Sequence, residues 1–297
     1  MSSLLAAAIV EQPGLNAGNV CGQPFAVAGR HEVTTVADIF DWIEAKVDRA
    51  GEHIDALNRE ITDWARSQPY SVASEPESQA THHRIYVNLH KIPDVRRWGL
   101  LLGDAVHNMR SALDHLVYAG AIRVTGQDPP PDERRLQFVI VDDPSSEWSK
   151  QAWHMAPLSD EMRAFIKSVQ PDKSSDPNGY QLNLLRWIRD LDDADKHRAI
   201  RPVFVLPAGF QGYVRTITGG KMTINMPLAP IDDKATLLEI SGEAVTEVER
   251  SMSVVLGIGI SVMPEHPKGP RLIYEALDLM FNAVVDVAKQ FREKFLV

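Results

Sequence analysis

Only one cysteine, Cys21, occurs in the 297 residues, so the chain cannot form an internal disulfide bond. A protein without disulfides suits a reducing compartment. Long hydrophobic runs are missing as well, since nothing approaches the roughly 18 consecutive apolar residues that a membrane-spanning helix needs. The apolar start, residues 4–10, is short and lacks the basic flank of a signal peptide. We therefore expect a cytoplasmic protein that does not enter the membrane.

Basic residues are fewer than acidic residues. The chain has 31 lysine and arginine residues against 40 aspartate and glutamate residues, a net charge of −9. Generic nucleic-acid coats and proteins that bind anionic membrane surfaces rely on a basic excess. The composition argues against both classes, although it leaves room for a local basic patch.

Several catalytic motifs do not occur either. The sequence has no Gly-x-x-x-x-Gly-Lys-Ser/Thr, no Gly-x-Ser-x-Gly and no Cys-x-x-Cys, which argues against P-loop enzymes, α/β-hydrolases and thiol redox proteins. His-Glu-x-x-His and Glu-x-x-His are also missing. Because these are common metal-binding patterns on helices, their absence counts against the most familiar bundle metal sites.

What the sequence does contain is helical periodicity. Apolar residues recur every three or four positions in four long stretches, which predict helices at about 34–66, 93–123, 180–200 and from 270 onward. Shorter elements are expected as well: a helix starting at Ser159, and strands at 85–89 and 138–141. The segment 67–83 is rich in serine, proline and glutamate and is expected to be a loop. Three tryptophans fall at core spacings: Trp42, Trp64 and Trp187.

The residue pattern changes between 202 and 263, where short runs of β-branched residues alternate with turns of glycine, proline and aspartate. These runs, typical of a small antiparallel sheet, are Tyr213–Ile217, Met222–Ile224, Leu237–Ile240 and Val254–Val262. The expected fold class is α+β and predominantly α, a bundle of about four long helices with a small antiparallel strand-rich insertion. The expected segments are a loosely ordered N-terminal arm (1–33), the bundle with short strands (34–201), the insertion (202–264) and a C-terminal helix completing the bundle (265–297).

The second predicted helix carries an unusual polar face opposite its apolar stripe. The face consists of Asp104, His107, Asn108, Arg110, Ser111, Asp114, His115 and Tyr118. It has no lysine, glutamate or glutamine, the usual residues of an exposed helix surface, but it is rich in residue types that bind metals or move protons. These residues indicate a polar groove, and an ordinary solvent-facing surface is the simplest alternative.

A helical wheel divides this polar face into two neighbouring rows. One row holds Asp104, Asn108, Ser111 and His115, and the other holds His107, Arg110 and Asp114. Arg110 and Asp114 are four residues apart and can form an ion pair. Arg110 and His115, by contrast, do not share a row.

The third predicted helix ends in a charged segment that interrupts its own apolar stripe. The stripe continues onto Asp195 and Arg198, with Asp192 on its edge. A buried charge costs several kcal/mol unless it is paired. Either this helix therefore ends early, or Asp195, His197 and Arg198 face the polar rows of the second helix and form one cluster with them.

The segment Arg110-Ser-Ala-Leu-Asp-His115 resembles the Arg-(four to six residues)-His motif of the HEPN superfamily. Those proteins are helical bundles, many of them metal-independent ribonucleases with the site between two protomers. The resemblance implies that Arg110 binds phosphate, that His115 is the acid or base, that the partner is RNA or a nucleotide, and that the chain forms a homodimer. Under this hypothesis Asp114 and His107 are further catalytic candidates. Candidates for substrate binding are Asn108, Ser111, Tyr118, Lys196, His197 and Arg198.

A longer pattern is similar to a bacterial protein family without an assigned activity. It combines Gly-Asp-x-x-His-Asn-x-Arg-Ser-Ala-Leu-Asp-His, starting at Gly103, with a later Asp-Lys-His-Arg that starts at Asp195. This resemblance supports the location of a site but implies no chemistry.

Two other functions stay open. In the first, a metal-dependent hydrolase or oxygenase holds a divalent metal such as Zn, Fe or Mn through Asp104, His107, His115 and Asp195. In the second, the polar residues form a buried network that fixes helix packing without catalysis. The ribonuclease hypothesis requires no cofactor.

Overall fold

The computed structural model describes residues 36–76, 82–171, 184–197, 204–211, 214–216, 222–225, 229–230, 233–242, 245–248, 253–260 and 271–296. Residues Thr34–Val297 cluster as one compact unit. The arm expected at 1–33, the side chain of His197 and all of Arg198 lie outside the described residues.

The protein is predominantly helical, as the periodicity predicts. The α-helices are α1 (Val36–Arg66), α2 (Val95–Thr125), α3 (Trp148–Gln151), α4 (Asp160–Ser168), α5 (Leu184–His197) and α6 (Ile273–Phe295). Four of these, α1, α2, α5 and α6, are the four long helices of the predicted bundle. Among the described helices, none is long and apolar enough to cross a membrane.

Local capping sets the ends of the helix that carries the polar face. The Asp94 side chain accepts the backbone N–H of Arg97 at 3.0 Å, which satisfies a free donor of the first turn of α2. At the other end Gly126 adopts φ 66° and donates its N–H to the carbonyl of Ile122, a conformation that glycine takes without penalty. The helix therefore runs two residues beyond its predicted end at Arg123.

The strands pair antiparallel throughout the described residues, as expected for the insertion. They are β1 (Tyr70–Pro76), β2 (His82–Leu89), β3 (Phe204–Gln211), β4 (Val214–Thr216), β5 (Met222–Asn225), β6 (Ala229–Pro230), β7 (Thr236–Gly242), β8 (Val245–Val248), β9 (Ser253–Ile260) and β10 (Arg271–Leu272). The sheet orders are β1-β2-β7-β5, β10-β9-β3-β6 and β4-β8. The β1–β2 hairpin, which lies between α1 and α2 in the chain, shares a sheet with the insertion through the pair Ile85–Leu238.

One segment that was expected to be a loop is a strand. Residues 67–83 are rich in serine, proline and glutamate, yet β1 pairs with β2 over seven positions, from Tyr70 opposite Leu89 to Pro76 opposite His83. The loop prediction was wrong because β1 is an edge strand of its sheet. An edge position tolerates proline and polar residues that a central strand excludes.

One expected strand is not a strand. Residues 138–141 are buried and pair with none of the described strands. The backbone of this segment is hydrogen-bonded to side chains and not to a neighbouring strand among those described. The Phe138 N–H donates to Asp114 at 2.8 Å, the Val141 N–H donates to Gln170 at 2.9 Å, and the Gln170 amide donates to the Val139 carbonyl at 2.7 Å. The prediction was wrong because an apolar run signals burial and not the identity of its hydrogen-bond partner.

The helices share one hydrophobic core. Trp64 meets Trp98 edge-on at 5.7 Å between ring centroids, and Phe165 meets Phe291 in the same way at 5.8 Å, an arrangement that aromatic pairs prefer. Trp64 and Trp187 are buried, as their spacing predicts. Trp42 is 63% exposed, so its assignment to the core was wrong.

Candidate functional site

The polar face of α2 meets α5 at a buried carboxylate. Asp192 is only 2% exposed, and its Oδ1 lies 3.1 Å from Nδ1 of His107. Nζ of Lys196 lies 2.6 Å from its Oδ2. His107 and Lys196 are both about half exposed. The Asp192 carboxylate is thus hydrogen-bonded through both oxygens, which is the condition for burying a charge.

The next turn of α5 packs against a glycine of α2. A Cβ placed on Gly103 would lie 2.5 Å from Oδ1 of Asp195 and 2.7 Å from its Cγ. Only glycine therefore permits this approach of the Asp195 carboxylate to the α2 backbone. The helix α5 continues to His197, and Asp195 faces α2, as the interrupted apolar stripe predicts.

Arg110 and Asp114 form the ion pair that their spacing predicts. Nη2 of Arg110 lies 3.1 Å from Oδ1 of Asp114, and this same oxygen accepts the Phe138 N–H. Arg110 is only 4% exposed. Its Nη1 is buried without a hydrogen-bond partner in the described part of the chain. The guanidinium that the HEPN resemblance assigns to phosphate therefore lies in the protein interior.

Burial raises the pKa of the Asp114 carboxyl above its ordinary value and is the largest effect on it. The positive charge of Arg110 and the hydrogen bond from Phe138 oppose this rise. The charge of Asp192 adds to it, and that of Lys196 opposes it. Asp114 is thus coupled electrostatically to the network on α5. Its Oδ2 makes no hydrogen bond within the described ranges.

His115 is oriented by its own helix. Nδ1 lies 2.7 Å from the carbonyl oxygen of Ser111. Because a carbonyl only accepts, Nδ1 carries the proton. Nε2 makes no hydrogen bond to any described residue. Like Asp114, this side chain has one polar atom hydrogen-bonded within the protein and a second one without a hydrogen bond to described residues.

Asp114 and His115 open onto a surface cavity of about 370 Å³. The cavity is bounded by residues from α1, α2 and the loop that follows α2: Ile39, Trp42, Asp114, His115, Tyr118, Asp128 and Leu136. The Tyr118 hydroxyl donates to Oδ1 of Asp128 at 3.2 Å. Partial burial, followed by this hydrogen bond and charge, raises the pKa of Tyr118 to about 12. Tyr118 therefore remains a hydrogen-bond donor at neutral pH.

Five of the predicted site residues fall into two groups. Asp114, His115 and Tyr118 line the cavity. His107 and Lys196 belong to the network around Asp192.

Three other predicted residues make local contacts. The Asn108 amide donates to the Asp104 carbonyl at 2.8 Å, and Ser111 supplies the carbonyl that orients His115. The Asp104 carboxylate lies 3.9 Å from Nδ1 of His53 on α1. The polar face of α2 is therefore divided between a cavity and a helix–helix contact.

Within the described ranges, no group of three or more His, Cys, Asp and Glu residues is arranged to hold a metal ion. The four residues of the metal hypothesis are instead engaged separately. Asp104 lies near His53, His107 contacts Asp192, and His115 is anchored to its own helix, while Asp195 packs on Gly103.

Four of the residues that line the cavity were not predicted as site residues from the sequence. Ile39 and Trp42 lie on α1, and helical spacing alone assigned Trp42 to the core. Asp128 and Leu136 lie in an irregular segment with no period to place them. Asp192 was noted only at the edge of its stripe, although its position three residues before Asp195 already placed it towards α2.

No protein-family model, curated protein or solved structure matches this chain. The HEPN resemblance therefore stays a prediction that rests on the motif from Arg110 to His115. The function has to be argued from the chemistry of the cavity.

Proposed function

We propose that the chain is a metal-independent, HEPN-like endoribonuclease whose acid–base pair is Asp114 and His115. One observation carries this proposal. Two proton-carrying groups lie side by side at an open cavity, each with one polar atom held by the protein and another without a hydrogen bond to described residues. General acid–base catalysis requires groups that are fixed in position yet accessible to substrate.

The proposed reaction is a transesterification within RNA. Oδ2 of Asp114 accepts the proton of a ribose 2′-hydroxyl, and the resulting oxygen attacks the adjacent phosphorus. The bond from phosphorus to the 5′-oxygen breaks, and protonated Nε2 of His115 gives its proton to that leaving oxygen. The products are a 2′,3′-cyclic phosphate and a 5′-hydroxyl. Because its pKa is raised, Asp114 is a stronger base than an ordinary exposed aspartate.

The phosphate needs positive charge beyond that of the protonated His115, and no lysine or arginine lines the cavity. Arg134 and Arg135 are exposed and immediately precede Leu136 of the wall. Their guanidinium groups make no hydrogen bond or ion pair with described residues, and guanidinium groups bind phosphate in a bidentate manner. Arg110 then has a positioning role, since its ion pair holds Oδ1 of Asp114.

The direct test is cleavage of a mixed-sequence single-stranded RNA in buffer containing EDTA. We expect cleavage by the wild type and a loss of about 10²–10⁴-fold in the His115→Ala variant, the usual contribution of one acid–base group. His90→Ala is the matched control, because His90 is an exposed histidine bonded to Ser71 after β2. Wild-type activity that survives in His115→Ala, or no cleavage at all, would overturn the proposal.

A non-catalytic role is favoured by a separate observation, the buried Asp192 between His107 and Lys196. If the polar face of α2 serves packing alone, His107→Ala and Asp192→Ala lower the melting temperature and no variant affects any RNA reaction. If the proposal holds, these two variants lower stability whereas His115→Ala lowers cleavage. Comparing melting and cleavage in the same variants separates the two functions.

A further inference from the structure

We propose that the cavity recognises guanine, with the base stacked on Trp42 and its Watson–Crick edge hydrogen-bonded to Asp128. This inference rests on the proposed ribonuclease function and names the substrate preference of the same site. It predicts cleavage on the 3′ side of guanosine.

Asp128 is arranged as a hydrogen-bond acceptor. An ionised carboxylate offers about four lone-pair positions and no donor. The Tyr118 hydroxyl occupies one of these positions on Oδ1, and Tyr118 stays protonated at neutral pH. Asp128 therefore keeps Oδ2 and the second lone pair of Oδ1 for a ligand. Such a group favours a ligand edge with two adjacent donors and repels an edge with acceptors.

Guanine is the one standard RNA base whose Watson–Crick edge has two adjacent donors, N1–H and the N2 amino group. Adenine and cytosine each place a ring-nitrogen acceptor beside their amino group. Uracil has a single N–H between two carbonyl acceptors. A carboxylate therefore pairs with guanine through two hydrogen bonds and meets an acceptor on every other base.

Trp42 supplies the surface on which a base can stack. Its side chain is 63% exposed although it lies on a helix whose apolar face is otherwise buried. Ile39 and Leu136 add apolar surface to the same cavity. Indole rings stack on bases of every sequence, so Trp42 provides affinity and Asp128 provides the choice of base.

The cavity size and the position of the acid–base pair fit one nucleoside. A volume of about 370 Å³ lies at the lower end of the roughly 300–1,000 Å³ typical of small-ligand sites. Asp114 and His115 line the cavity together with Trp42 and Asp128. A guanosine bound there therefore brings its own 2′-hydroxyl and 3′-phosphate to the two groups that are proposed to act on them.

The first experiment measures binding of 3′-GMP, 3′-AMP, 3′-CMP and 3′-UMP to the full chain by calorimetry. We expect 3′-GMP to bind at least tenfold more tightly than the others. Asp128→Asn should remove most of this preference while still accepting the Tyr118 hydroxyl. Asp132→Asn is the matched control, because Asp132 is an exposed carboxylate in the same loop that lies outside the cavity and its φ of 57° suits asparagine.

The second experiment uses RNA oligonucleotides that contain one guanosine in an otherwise guanosine-free sequence. Cleavage only after that guanosine supports the inference. Cleavage after all four bases that still depends on His115 overturns guanine recognition but leaves the ribonuclease proposal standing. Selective 3′-GMP binding without cleavage supports guanine recognition and overturns the ribonuclease proposal. Preferential binding of guanidinium, used as a simple organic cation, over 3′-GMP overturns the inference.

Discussion

Asp114 is the residue that joins the two polar groups of the molecule. Its Oδ1 is bound by Arg110 and by the backbone of Phe138, and its pKa responds to the charges of Asp192 and Lys196 on α5. Its Oδ2 makes no hydrogen bond within the described ranges, and the residue lines the cavity. In the proposed mechanism, Oδ1 therefore holds the side chain in place and Oδ2 accepts the proton.

The Asp192 carboxylate gives a stability prediction at the scale of one residue. Lys196→Ala leaves the buried Oδ2 without its hydrogen-bond donor, which we expect to lower the free energy of unfolding by about 1–3 kcal/mol. Chemical denaturation measures this change. Asp193→Ala is the control, since Asp193 is 62% exposed and 4.0 Å from Lys196, and exposed pairs contribute about 0–1 kcal/mol. Equal effects of the two variants would contradict burial of Asp192.

Tyr118 gives a prediction about pH. Its pKa of about 12 lies above the value of about 10 in an unfolded chain. The stabilisation that it provides is therefore complete below pH 10 and is lost as the pH rises towards 12. The difference between the ultraviolet titration curves of the wild type and of Tyr118→Phe gives the titration of this hydroxyl. Asp128→Asn should lower the pKa, because it removes a negative charge, and an unchanged titration would disprove the hydrogen bond.

At the scale of elements, the contact between α2 and α5 depends on Gly103. Gly103→Ala gains about 1 kcal/mol of helix propensity, but its Cβ overlaps the Asp195 carboxylate, and overpacking costs typically 1–3 kcal/mol. We expect a net loss of stability. In an Asp195→Ala background the overlap disappears, so the same change should be stabilising. Thermal unfolding of the four proteins tests this, and an effect of the same sign in both backgrounds would refute the close approach.

Val139 and Val141 depend on the side chain of Gln170, which lies two residues after the end of α4. Gln170 bonds the backbone of Val139, Val141 and Ile166. Gln170→Leu leaves these three buried groups without their partner, and we expect a loss of at least about 3 kcal/mol, at roughly 1–3 kcal/mol for each group. Hydrogen exchange at the Val141 amide should accelerate. Gln151→Leu, at an exposed glutamine, should stay within about 0.5 kcal/mol, and slow exchange in Gln170→Leu would contradict the role assigned to this side chain.

Elements with a strong local signal could be predicted from the sequence. The long helices and the Ser159 cap of α4 follow from periodicity and capping, which act within a few residues. β1 could not be predicted, because its partner strand and edge position determine its conformation. The segment 138–141 shows the converse, since its partners are the side chains of Asp114 on α2 and of Gln170, which follows α4.

For the whole molecule, the sequence predicted which helix face is polar but not how that face is divided. Spacing was sufficient to predict the Arg110–Asp114 pair. It could not predict that Arg110 is buried or that Trp42 is exposed beside His115, because both depend on neighbouring elements. The cavity is lined by residues of α1, α2 and the loop after α2. A local sequence pattern does not show that these three segments lie next to one another.

The most direct test of the acid–base pair is the pH dependence of kcat/KM for RNA cleavage in EDTA. The wild-type profile should rise with pH as Asp114 loses its proton and becomes able to act as the base. The rising limb should lie above the ordinary pKa of an aspartate, since burial raises the pKa of Asp114. Asp114→Asn should remove this rising limb and reduce the rate by about 10²–10⁴-fold. An unchanged profile in Asp114→Asn would contradict the account.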